Sequence, residues 1–152
     1  MKEHYGNKVV PIQFPINCGP SFNSMIDVLL MKQYTWGPEG GVPTITEIPE
    51  EYKEKALERH QQLVEAAAEN DESLMDKFFE QGALTEDELR LGIRKGLIDR
   101  SIYPVFCVSA LKDMGVRRMM EFLGNVVPFV NDMPAPINTE LEEVEANSTS
   151  LK

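Results

Sequence analysis

The chain has little of what most metal-binding, secreted or catalytic domains require. It carries only two cysteines and two histidines in 152 residues. Cys18 and Cys107 lie far apart, with no C-x-x-C pair and no histidine at zinc-site spacing, so no metal site is expected. Both thiols are read as small buried hydrophobes. No apolar run approaches the ~20 residues of a membrane span, and the N-terminus has no signal-peptide core, which points to a cytoplasmic protein without membrane contact. There is no G-x-x-x-x-G-K-[ST] phosphate loop, no H-E-x-x-H helix and no Ser/His/Asp pattern. His4 and His60 are the only histidines, and His60, beside Leu63 and Val64 on a helix face, reads as structural. A thiol enzyme using Cys107 and His60 is disfavoured, because a thiolate inside an apolar strand would be poorly stabilised. The chain alone is therefore read as no enzyme, with no cofactor of its own.

What is present is ordinary in amount and unusual in sign. Hydrophobic residues make up 42% and charged residues 26%, as in a soluble globular domain. The length suits one domain with a real core. The net charge of -10 repels phosphate, so direct nucleic-acid binding is not expected and a basic protein partner is favoured.

Patterning gives the elements. Val9 to Phe14 (VVPIQF) reads as a short buried strand, with Pro11 and Pro15 placing it at an edge or a strand end. Asn17 to Ser21 breaks it. Ser24 to Trp36 reads as a strand or hairpin, Gly37 to Gly41 as a turn, and Val42, Ile45 and Ile48 as a short extended segment. Pro49 opens a helix whose stripe is Tyr52, Ala56, His60, Leu63, Val64 and Ala67, with an acidic outer face. Leu74, Met75, Phe78 and Phe79 mark a second helix stopped at Gly82. Thr85 and Glu88 form a capping box, with Leu84 and Leu89 as its staple, and Leu89, Ile93 and Leu97 as the buried stripe of a third helix. Tyr103 to Val108 (YPVFCV) reads as a central strand covered on both faces. A turn at Ser109 to Asp113 follows. Val116, Met119, Met120, Leu123 and Val127 line a last helix ended by Pro128, and residues 131–152 read as a linker. The fold class is α/β, a strand–helix piece of a parallel sheet joined to a helix-rich part.

Val105 to Gly115 (VFCVSALKDMG) runs from strand through a Ser-Ala-Leu-Lys turn into a helix. In translational GTPases such a turn points a backbone N–H at the guanine carbonyl. Taken with VVPIQFPI, FNSMIDVLLMKQYTW, IPEEYKEKALERHQQLVEAAAEND, SLMDKFF, LTEDELRLGIRKGLIDRSIYPVFCVSALKDMGV and VPFVNDMPAP, the order resembles the G-domain insert of translation elongation factor G over about the first 138 residues. The turn wording NCGPSFNS and the GPEGG segment depart from the usual family pattern.

The resemblance implies a partial G-domain sheet with a helix-rich α/β insert subdomain. Residues 1–102 would be a G-domain edge strand plus the insert, 103–130 the last strand and helix of the G domain, and 131–152 a linker towards a following β-barrel that opens at Ser148 to Leu151. Asn7, Lys8, Val9 and Val10 imitate an N-K-x-D guanine motif but lack its Asp, so the chain is expected to begin just after the true motif. The implied guanine site is incomplete: Ser109, Ala110 and Leu111. The parent would use GTP and Mg in ribosomal translocation. The implied partner-binding residues are Glu54 and Glu58, facing the basic C-terminal domain of the ribosomal stalk protein. The alternatives are an insert of a release-factor-type translational GTPase, or a free-standing acidic interaction domain.

Overall fold

A computed structural model of the chain describes residues 8–129 together with 132 and 133. His4, Asn7 of the imitation motif, and the expected linker and barrel opening, apart from residues 132 and 133, lie outside the described residues. The elements in order are β1 (Val9–Pro11), β2 (Gln13–Pro15), β3 (Ser24–Asp27), β4 (Lys32–Thr35), β5 (Thr44–Thr46), α1 (Glu50–Ala68), α2 (Glu72–Gln81), α3 (Glu86–Ile98), β6 (Tyr103–Val105) and α4 (Val116–Asn125). The class is mixed α/β, as the patterning implies.

The first apolar run is two strands rather than one. β1 pairs in parallel with β6, Val9 opposite Tyr103, while β2 opens an antiparallel sheet of order β2-β3-β4-β5. Ile12, fully buried, joins them. Its N–H donates to the Val105 carbonyl at 3.0 Å, and its own carbonyl accepts from Val28 N–H at 2.9 Å. Pro11 and Pro15 end their strands, as a residue without an N–H should.

The segment 24–36 is a hairpin. Asp27 Oδ1 accepts the Leu30 amide at 2.9 Å, and Met31 takes a left-handed φ of 52°, which lets β4 return against β3. All four residues of β3 are buried, because the sheet is covered on both faces. Ile26 joins the main core with Leu63 and Val64 of α1 and Ile93 of α3. Met25, on the opposite face by the two-residue period, packs with Tyr34, Trp36 and Met114.

The helices follow their local signals. Asp71 caps α2 by accepting from Ser73 N–H at 2.8 Å and Leu74 N–H at 3.2 Å. Gly82 closes it at φ 69° with its N–H on Phe78 O. The Thr85/Glu88 box is complete, Glu88 N–H donating to Thr85 Oγ1 at 3.4 Å and Thr85 N–H to Glu88 Oε2 at 3.0 Å. α3 crosses α1 closely at Gly92, where an added Cβ would lie 2.6 Å from the Ala67 carbonyl oxygen.

Four expectations need correction. β6 is not a central strand: it spans only Tyr103–Val105, has β1 as its one neighbour among the described residues, and leaves Tyr103 exposed. The Cys107 amide bonds the Gln13 side chain instead of a strand. Helix α4 turns a different face inward, Phe122 and Arg118 with Val126 just beyond its end, so Met120 and Leu123 are exposed. Cys18 is exposed and Cys107 half-buried, so neither is a fully buried hydrophobe. Phe79 is exposed because only Leu74 of α2 is fully buried, with Phe78 packed against the core.

The capping box carries an acid-sensitive share of stability. Hydrogen bonds from the Lys77 ammonium and then from Thr85 lower the Glu88 carboxyl from its ordinary 4.5 to about 2. A carboxylate with a depressed folded value stabilises fully above its unfolded pKa, and that help is lost as pH falls towards the folded value. Asp71, lowered by Lys95, would act alike in any Glu88 variant. Glu88→Gln should therefore be less stable than the parent at neutral pH, and the two urea midpoints should converge as pH falls from 4.5 towards 2. Parallel midpoint curves across that window would refute the assignment.

Candidate functional site

The turn after β6 is short and tightly fixed. Ser109 N–H donates to Met114 O at 2.8 Å and Met114 N–H to Ser109 O at 3.0 Å, closing the loop as an antiparallel bridge. Asp113 adopts φ 48° and Gly115 φ 78°. The glycine is required twice over, since a Cβ there would also lie 2.5 Å from the Cys107 carbonyl oxygen. Ser109, Ala110 and Leu111 thus share one turn, as expected from their adjacency. Ala110 and Leu111 are exposed, Leu111 almost completely, and the described residues give their amides no acceptor. The turn borders a cavity of about 540 Å³ that Pro20, Phe22, Cys107 and Lys112 also line. Loops of the antiparallel sheet hold the turn from outside: Lys112 Nζ donates to Pro20 O at 3.1 Å, and Gly40 lies so close to the Lys112 carbonyl that any Cβ would overlap it.

Beneath the turn lies a buried ion pair that the sequence reading missed. Asp27 is fully buried and Arg118 nearly so. Arg118 Nε donates to Asp27 Oδ2 at 2.8 Å, and Gln13 Nε2 donates to the same oxygen at 3.2 Å. Gln13 stands directly opposite Asp27 in the β2–β3 register. Its Oε1 accepts the Cys107 amide at 3.2 Å, so β2, β3, the strand end and α4 meet in one network.

The second candidate surface is α1. Glu54 and Glu58 are exposed, one turn apart, on the face opposite Ala56, Leu63 and Ala67. Gln62 Nε2 donates to Glu58 Oε1 at 3.2 Å. Leu57 lies between the two glutamates and is 58% exposed, a feature the charge pattern hid. It borders a groove of about 380 Å³ with His60, Val64 and Phe78. His60 Nδ1 is 2.8 Å from Val28 O, a structural contact. Cys107 is engaged elsewhere, its thiol on Gln13 O and its pKa raised by burial. The turn and the acidic helix are thus separate surfaces, and the described residues contain no His/Cys/Asp/Glu group suited to a metal ion. No described helix is long and apolar enough to cross a membrane.

The fold defines a mixed α/β class in which a strand–turn–helix closes on a four-stranded antiparallel sheet. No family model matches the chain. A solved protein of Thermus thermophilus, whose name states no activity, is similar, with a TM-score of 0.72 and 26% identity. The match covers 84% of this chain and 19% of that one, so the chain spans about a fifth of the protein it resembles.

The network predicts asymmetric mutational costs. Arg118→Met strands the buried Asp27 carboxylate and should cost roughly 3–5 kcal/mol, whereas Arg118→Met with Asp27→Leu should recover most of that loss. Chemical denaturation of both variants checks it. A double variant no more stable than the single one would show that the pair itself, not the stranded charge, is needed.

Proposed function

We propose that the chain is a segment of an elongation-factor-G-type translational GTPase, cytoplasmic, whose parent uses GTP and Mg to drive translocation on the ribosome. The observation that carries this reading is the turn at 109–114, with two open amides between a parallel strand and a helix. A backbone N–H there could meet a guanine carbonyl, as in guanine-binding turns. The likeness to a much longer chain supports it. In this segment the site would be incomplete, because guanine binding also needs an Asp and a phosphate loop that the sequence does not contain. Two backbone hydrogen bonds, each worth about 1 kcal/mol net, do not offset the cost of fixing a ligand. Calorimetric titration of the 152-residue chain with GDP should therefore give no measurable heat, and micromolar affinity would overturn the reading.

The insert's role in this proposal is contact with the basic C-terminal domain of the ribosomal stalk protein through Glu54 and Glu58. The exposed glutamates supply charge, and exposed Leu57 between them supplies an apolar contact. Like charges one turn apart repel by a few tenths of a kcal/mol, so the helix carries a small cost that a basic partner would relieve. Binding should be weak and fall with ionic strength, since rim charges act mainly on association rate. Glu54→Lys with Glu58→Lys should abolish binding to the isolated stalk domain without changing the melting temperature by more than a few degrees. Binding that keeps its strength and salt dependence in this variant would reduce the face to a solvated surface.

A further inference from the structure

A third cavity, of about 210 Å³, lies between the β4–β5 loop and the start of α4. It touches the 109–114 turn only through Asp113, away from the open amides of Ala110 and Leu111, and does not depend on that reading. One wall is apolar and aromatic: Tyr34 and Trp36 stack at 6.3 Å, and Ile45 stands opposite Tyr34 on the outer strand. Ile45 and its neighbour Val42 are 55% and 81% exposed, so the mouth is apolar as well. Trp36 is fixed, its Nε1 donating to Gly41 O at 3.1 Å.

The opposite wall is α4, and it contains Arg118. Its Nε is used by Asp27, and its Nη1 lies 4.0 Å from Glu121 Oε2. Its Nη2 is buried and has no acceptor among the described residues. A guanidinium cannot lose a proton to escape this, and a buried donor without a partner is costly. The Asp27 oxygens are already engaged, by Arg118 and Gln13 on one and the Leu30 amide on the other. No acceptor among the described residues is left within hydrogen-bond distance of this donor, so a water or a ligand oxygen can supply one.

The charges around the cavity select its kind. Arg118 is neutralised by Asp27, Arg117 is bridged to Glu121 at 3.3 Å, and Asp113 adds one further negative charge at the wall. An anion would meet Asp113 and Glu121, and a cation would meet Arg117 and Arg118. The volume corresponds to roughly seven waters at ~30 Å³ each, space for one ring with a polar substituent. The geometry points to a binding site for a small neutral aromatic ligand carrying a carbonyl or amide oxygen, its ring against Trp36 and Tyr34 and its oxygen towards the Arg118 guanidinium.

Trp36 is the chain's single tryptophan, so its emission reports on this cavity directly. The full chain is titrated with benzamide, and in parallel with benzoate, benzylamine and toluene, which keep the ring but change the charge or remove the acceptor. Benzamide should shift Trp36 emission saturably and bind at least ten-fold more tightly than each of the other three. Ile45→Glu alters an exposed position at the mouth and should weaken benzamide at least ten-fold with an unchanged melting curve. The proposal fails if benzamide gives no saturable response, if a charged isostere or toluene binds as well, or if Ile45→Glu leaves the affinity intact.

Discussion

The Asp27–Arg118 pair is the constraint on which the arrangement of the two sheets depends. A carboxylate with no solvent exposure is tolerable only with a cation and further donors at hydrogen-bonding distance. Arg118, Gln13 and the Leu30 amide supply them. Each donor comes from a different place, so satisfying one carboxylate fixes the hairpin turn, the β2–β3 register and the face that α4 presents. The face is the informative part. Helix α4 has a second apolar stripe available through Val116, Met120 and Leu123, and hydrophobic burial alone would not choose between the two. A buried ion pair does choose, because the wrong rotation would leave the carboxylate unpaired.

This explains which features were legible in the sequence. The capping box at Thr85 and Glu88, the left-handed stop at Gly82 and the α1 stripe are signals carried by residues three or four apart, and each forms as its local chemistry dictates. The 109–111 turn was readable for the same reason, its residues being neighbours. The companionship of Val9 and Tyr103 was legible only as two apolar runs that needed a sheet. The split of VVPIQF between two sheets was not, since both halves are equally apolar and the change of partner occurs at one residue.

What stayed hidden is the long-range polar chemistry. Asp27 and Arg118 are 91 positions apart, and neither looks unusual where it stands. A buried Asp at a strand end resembles any turn-forming Asp until its partner is known. Leu57 was obscured differently: standing in sequence between Glu54 and Glu58, it was absorbed into an acidic face, although it is exposed on the flank of that face. The cavity beside Trp36 needs the β4–β5 loop and α4 together, which no local pattern announces.

The position of Ile12 has a consequence for the order in which the molecule is assembled. The hairpin itself closes through contacts near in sequence, whereas Gln13 meets Cys107, 94 positions later. On a chain made from its N-terminus, residues 13–101 precede both β6, the strand partner of β1, and Arg118, the cation of Asp27. Contacts of such separation form slowly, because a long loop must close before they reward it. Helix α4 therefore ties itself to the antiparallel sheet through a contact 91 positions apart in the chain, the one that neutralises Asp27.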